Sequence, residues 1–134
     1  MASAKTSKAF PYSKMTRSTI FHVCARTAWD AAKSNGFYRG STDDRRDGFI
    51  HFSDRTQIIE STETHHGGEK GLVLLTVATA RLGKNGGALR WEASRSGRLF
   101  PHLYGALPVT AVTKTQDLPL DADGHHIFPP LPET

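Results

Sequence analysis

The sequence predicts an α+β protein in which two helices come early and most of the strands come late. Its segments read in the order strand, helix, loop, strand, helix and then four strands. A doubly wound parallel sheet would instead alternate strand and helix along the whole chain. The length of 134 residues is that of one domain, so we expect a single α+β unit.

The positive charge is concentrated at the N-terminus. Residues 1–18 are rich in Ser, Thr, Lys and Ala and show no apolar period, which predicts a disordered basic arm. The arm holds four basic residues and no acid, which equals the net charge of +4 and leaves 13 basic and 13 acidic residues elsewhere. This balance argues against binding to long nucleic acid, because such affinity depends on neutralising phosphates.

Composition also bounds the location of the protein. No apolar run approaches the roughly 20 residues that span a bilayer, and the N-terminus lacks the apolar region of a secretory signal. We therefore expect no membrane association. The single cysteine, Cys24, cannot form an internal disulfide and fits a reducing cytoplasm.

The first half of the chain contains both predicted helices. Residues 19–23 form a β-rich strand, and Thr27 opens a capping-box pattern for a helix that ends near Ser34 before Asn35-Gly36. Trp29 and Ala32, three apart, should face the core. Residues 37–48 are predicted to be a long polar loop, and such a loop is either a solvated surface or a functional segment.

The next stretch, Asp47-Gly48-Phe49-Ile50-His51-Phe52-Ser53, alternates as a strand does. Phe49 and His51 should share one face, with Ile50 and Phe52 on the other. A second helix follows from Ser53 or Asp54 to about His66 and stops at Gly67-Gly68. Its predicted apolar side is Ile58, Ile59 and Thr62, and its predicted polar row is Gln57, Ser61 and His65.

Four strands are predicted in the second half. Residues 72–77 form the most apolar run and predict a central buried strand. Residues 80–87 and 94–98 are turns, and residues 89–92 place Leu89 and Trp91 on one face and Arg90 and Glu92 on the other. Residues 99–104 are extended, with Phe100, His102 and Tyr104 on one face and Pro101 indicating an edge strand or a strand beginning. The chain is completed by a helical turn near 108–112 and a last strand over 113–120. Phe128, in the C-terminal segment, is predicted to fold back against the protein.

Several common sites are not indicated by motif. The sequence has no HExxH motif and a single cysteine, and four of its histidines form two adjacent pairs. No metal site is therefore expected. His66, His125 and His126 are predicted to be exposed or capping. No GxSxG, GxxxxGK[ST] or GxGxxG occurs, and Cys24 lies on a strand rather than at a helix N-terminus.

Three histidines stand out because each is the polar member of an apolar strand: His22, His51 and His102. A single case is more often a hydrogen-bonded core histidine. Three on three strands, with Arg90 and Glu92 on a fourth, favour a shared polar cleft.

The residues also resemble a known family. The resemblance is carried by the motif at 47–53, the row Gln57, Ser61 and His65, the strand Leu72-Val73-Leu74-Leu75, and the stretches Leu89-Arg90-Trp91-Glu92 and Leu99-Phe100-Pro101-His102-Leu103-Tyr104-Gly105. Together these segments resemble domain-of-unknown-function family 952. This is a small bacterial family. The resemblance covers about residues 19–130, which defines one domain and leaves 131–134 as a tail.

The resemblance implies an ADP-ribosyltransferase-like fold with split antiparallel sheets, nearest to the RNA 2'-phosphotransferases, which use NAD. Those enzymes carry a histidine on the first strand of the cleft, where His22 stands, and an Arg-x-His-Ile-His-like strand, where residues 46–51 stand. The late strand that usually begins with a glutamate carries His102 here, and Glu92 lies one strand earlier.

Three functions follow as expectations. The first is an NAD-using transferase of the ADP-ribosyl or 2'-phosphotransferase type, a monomer acting on a nucleotide-like small molecule. Its catalytic residues would be His51, His102 and Glu92, and its NAD-binding residues His22, Arg46, Gln57, Ser61, His65, Arg90 and Tyr104, with Arg46, Arg90 or Arg95 on the pyrophosphate. The second is a non-catalytic nucleotide or small-anion binding module. The third is a buried polar network that only fixes the fold.

Overall fold

The computed structural model describes residues 18–83 and 88–132 of the chain. Its strands are β1 Thr19–Ala25, β2 Phe37–Tyr38, β3 Ile50–His51, β4 Leu72–Ala78, β5 Ala88–Ala93, β6 Leu99–Tyr104, β7 Leu107–Pro108 and β8 Val112–Leu118. Its helices are α1 Arg26–Asn35, α2 Thr42–Asp47 and α3 Ile58–His66, with 3-10 turns at Thr79–Arg81 and Val109–Ala111. The α+β class is confirmed.

Some sequence predictions fall outside these ranges. The basic arm, apart from Ser18, the turn over 84–87 and the last two residues of the tail lie outside the described residues. Within the described residues, no helix is long and apolar enough to span a bilayer.

The strands form three antiparallel sheets. β4 lies between β1 and β8 in the first, β6 lies between β3 and β5 in the second, and β2 pairs with β7 in the third. Phe21 and Ser53 exchange two backbone hydrogen bonds of 2.8 and 2.9 Å, which join β1 to the segment that follows β3. The first two sheets therefore meet beside His22 and His51.

Both faces of the first sheet are covered, which explains the unbroken apolar run of β4. Val73, Leu75 and Val77 pack into a cluster with Trp29 and Ala32 of α1, as predicted. Leu72 and Leu74 pack on the opposite face with Ile58 of α3, and Phe128 of the C-terminal segment joins that cluster. The central position of β4 and the return of Phe128 are confirmed.

The structure corrects the predicted face of α3. Ile58 and Thr62 are buried, but Ile59 is 49% exposed. Successive helical residues point about 100° apart, so a helix that buries Ile58 and Thr62, four apart, turns Ile59 toward solvent. The prediction for Ile59 was wrong.

Residues 37–48 are not a loop, as was predicted, but contain β2 and α2. The local cause is a capping box in which Ser41 accepts from the backbone N–H of Asp44 and the Asp44 side chain accepts from the backbone N–H of Ser41. Gly48 closes the helix with φ of 88°. The capping box predicted at Thr27 does not form, because α1 begins at Arg26 without a side-chain cap.

Pro101 lies within the central strand of the second sheet, not at an edge. β3 ends at His51, which lies opposite His102. On the side of β6 that faces β3, Pro101 therefore contributes only its carbonyl oxygen, which accepts from the backbone N–H of Phe52 at 3.0 Å. The absent N–H of proline therefore costs no ladder hydrogen bond to β3.

His126 is buried rather than exposed, with its Nε2 2.7 Å from the backbone carbonyl oxygen of Glu69. An isolated bridge to Leu120 holds this segment against the body of the fold. The prediction for His126 was therefore wrong, whereas His125 is exposed as predicted and His66 lies half-buried beside Glu69 at 2.8 Å.

Candidate functional site

A cavity of about 660 Å³ lies where β1 of the first sheet meets β3 and β6 of the second. Its other walls are α2, α3 and the turn over residues 94–98. Seven of the ten predicted site residues line this cavity: His22, Arg46, His51, Gln57, Ser61, His65 and His102. We call it the histidine cleft.

His51 and His102 are direct cross-strand partners in β3 and β6. Their ring centroids lie 5.6 Å apart in an edge-on arrangement. The alternation that placed His51 and Phe49 on one face and Ile50 and Phe52 on the other is confirmed, because Ile50 and Phe52 are buried and His51 opens to the cleft.

Two carboxylates hold the His51 ring. Nδ1 donates to Asp44 at 2.6 Å, and Nε2 forms an ion pair with Asp47 at 3.1 Å. The hydrogen bond to Asp44, followed by the charges of Asp44 and Asp47, raises the pKa of His51 against the opposing effect of burial. His51 is therefore biased toward the imidazolium form.

Asp44 is the main site residue that the sequence analysis missed. It is only 3% exposed, and its carboxylate accepts from the backbone N–H groups of Ser41 at 2.8 Å and His51 at 3.1 Å as well as from the His51 ring. Burial favours the neutral acid, but the His51 hydrogen bond and the other donors outweigh it and lower the pKa of Asp44. The spacing Ser41-x-x-Asp44 was the available signal, because a capping box would have placed Asp44 on a helix seven residues before His51.

His22 supports His51 from the first sheet. Its Nδ1–H donates to the His51 carbonyl at 2.6 Å, and its Nε2 accepts from the Tyr38 hydroxyl at 2.9 Å. Burial lowers the pKa of His22, and Asp44, 3.9 Å away, opposes this without reversing it. A neutral ring with both nitrogens bonded to protein orients its neighbours rather than reacting with a ligand.

His102 is oriented by a different carboxylate. Its Nδ1 and the Tyr104 hydroxyl both donate to Oε1 of Glu92 at 2.7 Å, and these two hydrogen bonds, Tyr104 first, lower the pKa of Glu92. Phe49 stacks on His102 with ring centroids 4.0 Å apart. Since Glu92 engages Nδ1, Nε2 is the ring nitrogen of His102 that is left for a ligand.

Glu92, Arg90 and Tyr104 lie beside the cleft instead of lining it. Arg90 sits over the Tyr104 ring, 5.0 Å from its centroid, and Glu92 is occupied by His102 and Tyr104. Arg90 is nevertheless the direct cross-strand partner of His102, as His51 is on the other side, so the three side chains lie in one row on the same face of the second sheet, with Arg90 outside the cleft wall.

Gln57 has a structural part in the cleft wall. Its amide donates to the Leu99 carbonyl at 2.7 Å, and its side-chain oxygen accepts from the backbone N–H of Asp54 at 3.0 Å. These bonds tie the start of α3 to β6. Ser61 and His65 continue the predicted polar row along the cleft.

Three arginines line the cleft with different freedom. Arg46 pairs with Asp43 at 3.2 Å and Asp47 at 3.1 Å, and Arg98 pairs with Glu60 at 3.1 Å. Arg95, in the turn over 94–98, has no carboxylate partner among residues 18–83 and 88–132. It is therefore the cleft guanidinium most available to an anion.

Metal and thiol chemistry find little support in the part of the chain that the structure describes. No group of three or more His, Cys, Asp or Glu side chains there is placed to hold a metal ion. Cys24 is buried, and burial raises the pKa of its thiol to about 12, so the thiolate is scarce at neutral pH.

Fold and site together define a small α+β protein with a histidine-lined cleft between two antiparallel sheets. Residues 23–115 match the family described as "Protein of unknown function (DUF952)". The chain belongs to this family.

Solved structures of one relative share the fold. The crystal structure of protein CC0527 from Caulobacter crescentus is 46% identical, with a TM-score of 0.74 over 81% of this chain and 93% of that chain. The solution NMR structure of the same protein is 46% identical, with a TM-score of 0.69 over 81% of this chain and 90% of that chain. No curated protein matches the chain.

Proposed function

We propose that this protein is an enzyme of ADP-ribosyltransferase-like fold that binds NAD or an ADP-ribose-like nucleotide in the histidine cleft and transfers part of it. The observation that carries the proposal is the pairing of His51 with His102 in the cleft, each ring oriented by its own carboxylate. A purely structural histidine pair would not require an open, ligand-sized space in front of it.

The size of the cleft suits such a ligand. Its volume of about 660 Å³ lies within the roughly 300–1,000 Å³ of ordinary small-molecule sites. Its position between two antiparallel sheets also agrees with the split-sheet architecture that the resemblance implies.

The two histidines offer complementary chemistry. His51, biased toward the cation, can donate a proton or stabilise negative charge. His102, with its proton held on Nδ1 by Glu92, presents Nε2 as an acceptor for a ribose or attacking hydroxyl. Two imidazole rings on facing strands, each held by a carboxylate, form an arrangement that group transfer can use.

The far wall supplies groups for the rest of a nucleotide. Arg95, with Ser94 and Ser96 in the same turn, lines the cleft and offers donors to phosphate oxygens. Phe100 lines the cleft beside His102 and offers a face on which a flat ring can stack.

A second function, a non-catalytic nucleotide or small-anion binding module, is favoured by the position of Glu92. Its Oε1 already accepts from His102 and Tyr104, and it does not line the cleft. Glu92 is thus not a free carboxylate of the cleft wall that could stabilise an oxocarbenium-like ribose.

Binding is tested by thermal unfolding with NAD, ADP-ribose, nicotinamide and short 2'-phosphorylated RNA. A ligand at 100 times its Kd adds about 2.7 kcal/mol to the free energy of unfolding. Nicotinamide release from bound NAD would identify an enzyme, and binding without release a module. If none of the four ligands shifts the transition, the NAD-using enzyme and the nucleotide-binding module are both refuted, and only a small-anion site is left, which inorganic phosphate tests.

The cleft is tested by His102→Ala. We expect this variant to lose ligand binding while remaining folded, because within residues 18–83 and 88–132 the hydrogen bond of the His102 ring goes to the partly exposed Glu92 and its other side-chain contacts are with the rings of Phe49 and His51. His125→Ala is the matched control, since His125 is exposed and does not line the cleft. Loss of stability in His102→Ala with binding retained would instead favour a histidine network that only supports the fold.

A further inference from the structure

The histidine cleft already contains an anion that belongs to the chain itself. The Asp47 carboxylate lies 3.1 Å from Nε2 of His51 through one oxygen and accepts from Nε of Arg46 at 3.1 Å through the other. His51, Arg46 and Asp47 all line the cleft. A carboxylate thus bridges two cationic groups where a ligand would enter.

The helix does not explain this carboxylate. Asp47 is the last residue of α2, and the C-terminal end of a helix disfavours negative charge. Arg45 and Arg46 in the same turn have the sign that this end prefers. The contacts that hold Asp47 in place are therefore those to His51 and Arg46.

Asp47 can leave its position more easily than Asp44 can. The side chain of Asp47 is 35% exposed and that of Asp44 is 4% exposed. Asp44 is also anchored by two backbone N–H groups. Displacing Asp47 exposes a carboxylate to water that already reaches it, and leaves the Asp44–His51 hydrogen bond intact.

We propose that His51 and Arg46 form the binding site for a phosphate group of the ligand, and that Asp47 occupies this site until the phosphate displaces it. The inference rests on the proposed function and deepens it, because it assigns one phosphate of the nucleotide to a named pair of residues. A phosphate carries more charge and more acceptor oxygens than a carboxylate, so it competes well for an imidazolium and a guanidinium.

The test compares Asp47→Asn with Asp43→Asn in titrations with inorganic phosphate and with pyrophosphate. Both variants remove one negative charge from α2 and one partner of Arg46, but Asp43 contacts Arg46 without an ion pair to His51. Calorimetry gives Kd, and NMR of the His51 ring reports whether the anion reaches that side chain.

We expect Asp47→Asn to bind phosphate about tenfold more tightly than the wild type, which corresponds to a site that Asp47 leaves open about one tenth of the time. Asp43→Asn should gain at most about twofold, through the general change in charge. The His51 ring resonances should shift with phosphate in Asp47→Asn. Asp47→Ser serves as a second variant if the amide disturbs the fold.

Equal gains in both variants, no gain in Asp47→Asn, or weaker binding in Asp47→Asn would each overturn the inference. These outcomes are separable from failure of the proposed function. A tenfold gain in phosphate affinity without any NAD or ADP-ribose binding would support the phosphate site and refute the nucleotide ligand. NAD binding without a gain in phosphate affinity in Asp47→Asn would support the nucleotide ligand and refute the phosphate site.

Discussion

Asp44→Asn tests whether the buried carboxylate organises the site. One Asp44 oxygen accepts from the backbone N–H and the ring of His51, and the other accepts from the backbone N–H of Ser41. An asparagine has one acceptor oxygen, so its amide group must face at least one buried N–H. The variant loses a charge-assisted hydrogen bond, worth about 1.5–3 kcal/mol, and leaves a buried donor unsatisfied, which costs about 1–3 kcal/mol.

The two contributions add to an expected loss in the free energy of unfolding of about 2.5–6 kcal/mol. This is a large part of the roughly 5–15 kcal/mol typical of a domain. Urea unfolding followed by circular dichroism measures it, with the slope m checked for constancy.

Asp43→Asn is the control, because Asp43 precedes Asp44 in α2 and its side chain is 74% exposed. It should change stability by less than about 0.5 kcal/mol. A loss of less than about 1 kcal/mol in Asp44→Asn, or equal losses in both variants, would refute the reasoning that Asp44 holds His51 and Ser41 together.

Three further predictions concern single groups. The folded pKa of His51 is raised, so its contribution to stability should be fully present below about pH 6.5 and decline as the pH rises through the folded pKa. The difference in unfolding free energy between wild type and His51→Gln should shrink over that window, and a constant difference from pH 5 to 9 would contradict the raised pKa. Gly40→Ala places a Cβ 2.6 Å from that of Asp44 at φ of 95°, whereas Gly36→Ala, at φ of 91°, meets nothing within 4 Å. Urea unfolding should therefore show a loss of about 1 kcal/mol for Gly36→Ala and at least about 1 kcal/mol more for Gly40→Ala, and similar losses would argue against the close approach. Cys24 is buried and the pKa of its thiol is about 12, so it should resist iodoacetamide in the native protein at pH 8 and react after unfolding in urea. Mass spectrometry follows the labelling, and rapid labelling of the native protein would contradict the burial of Cys24.

The features that the sequence predicted well depend on local periodicity. The apolar run of β4, the core face of α1 at Trp29 and Ala32, and the alternation around His51 follow from patterns within a few residues. The predicted row of Gln57, Ser61 and His65 lines one cavity for the same reason, because the spacing of a helix fixes which residues share a side.

Short elements were the main source of error. β2 has two residues and α2 has six, and six residues are too few to show an apolar period. Asp44 was missed as a result, since its importance depends on a helix that only its capping box announces. Pro101 was misplaced because the partner strand β3 has two residues, a length that the sequence does not reveal.

The sequence by itself determined the α+β class, the strand that carries His51 and the histidine-rich character of the site, because these depend on neighbours along the chain. The tertiary structure alone decided that His51 faces His102, that Asp44 is buried against His51, and that Asp47 lies between His51 and Arg46 at the cleft. The pairing of β3 with β6, far apart in sequence, fixes the first. The orientation of α2 relative to β3 fixes the burial of Asp44 and the position of Asp47, and no local sequence pattern encodes that orientation.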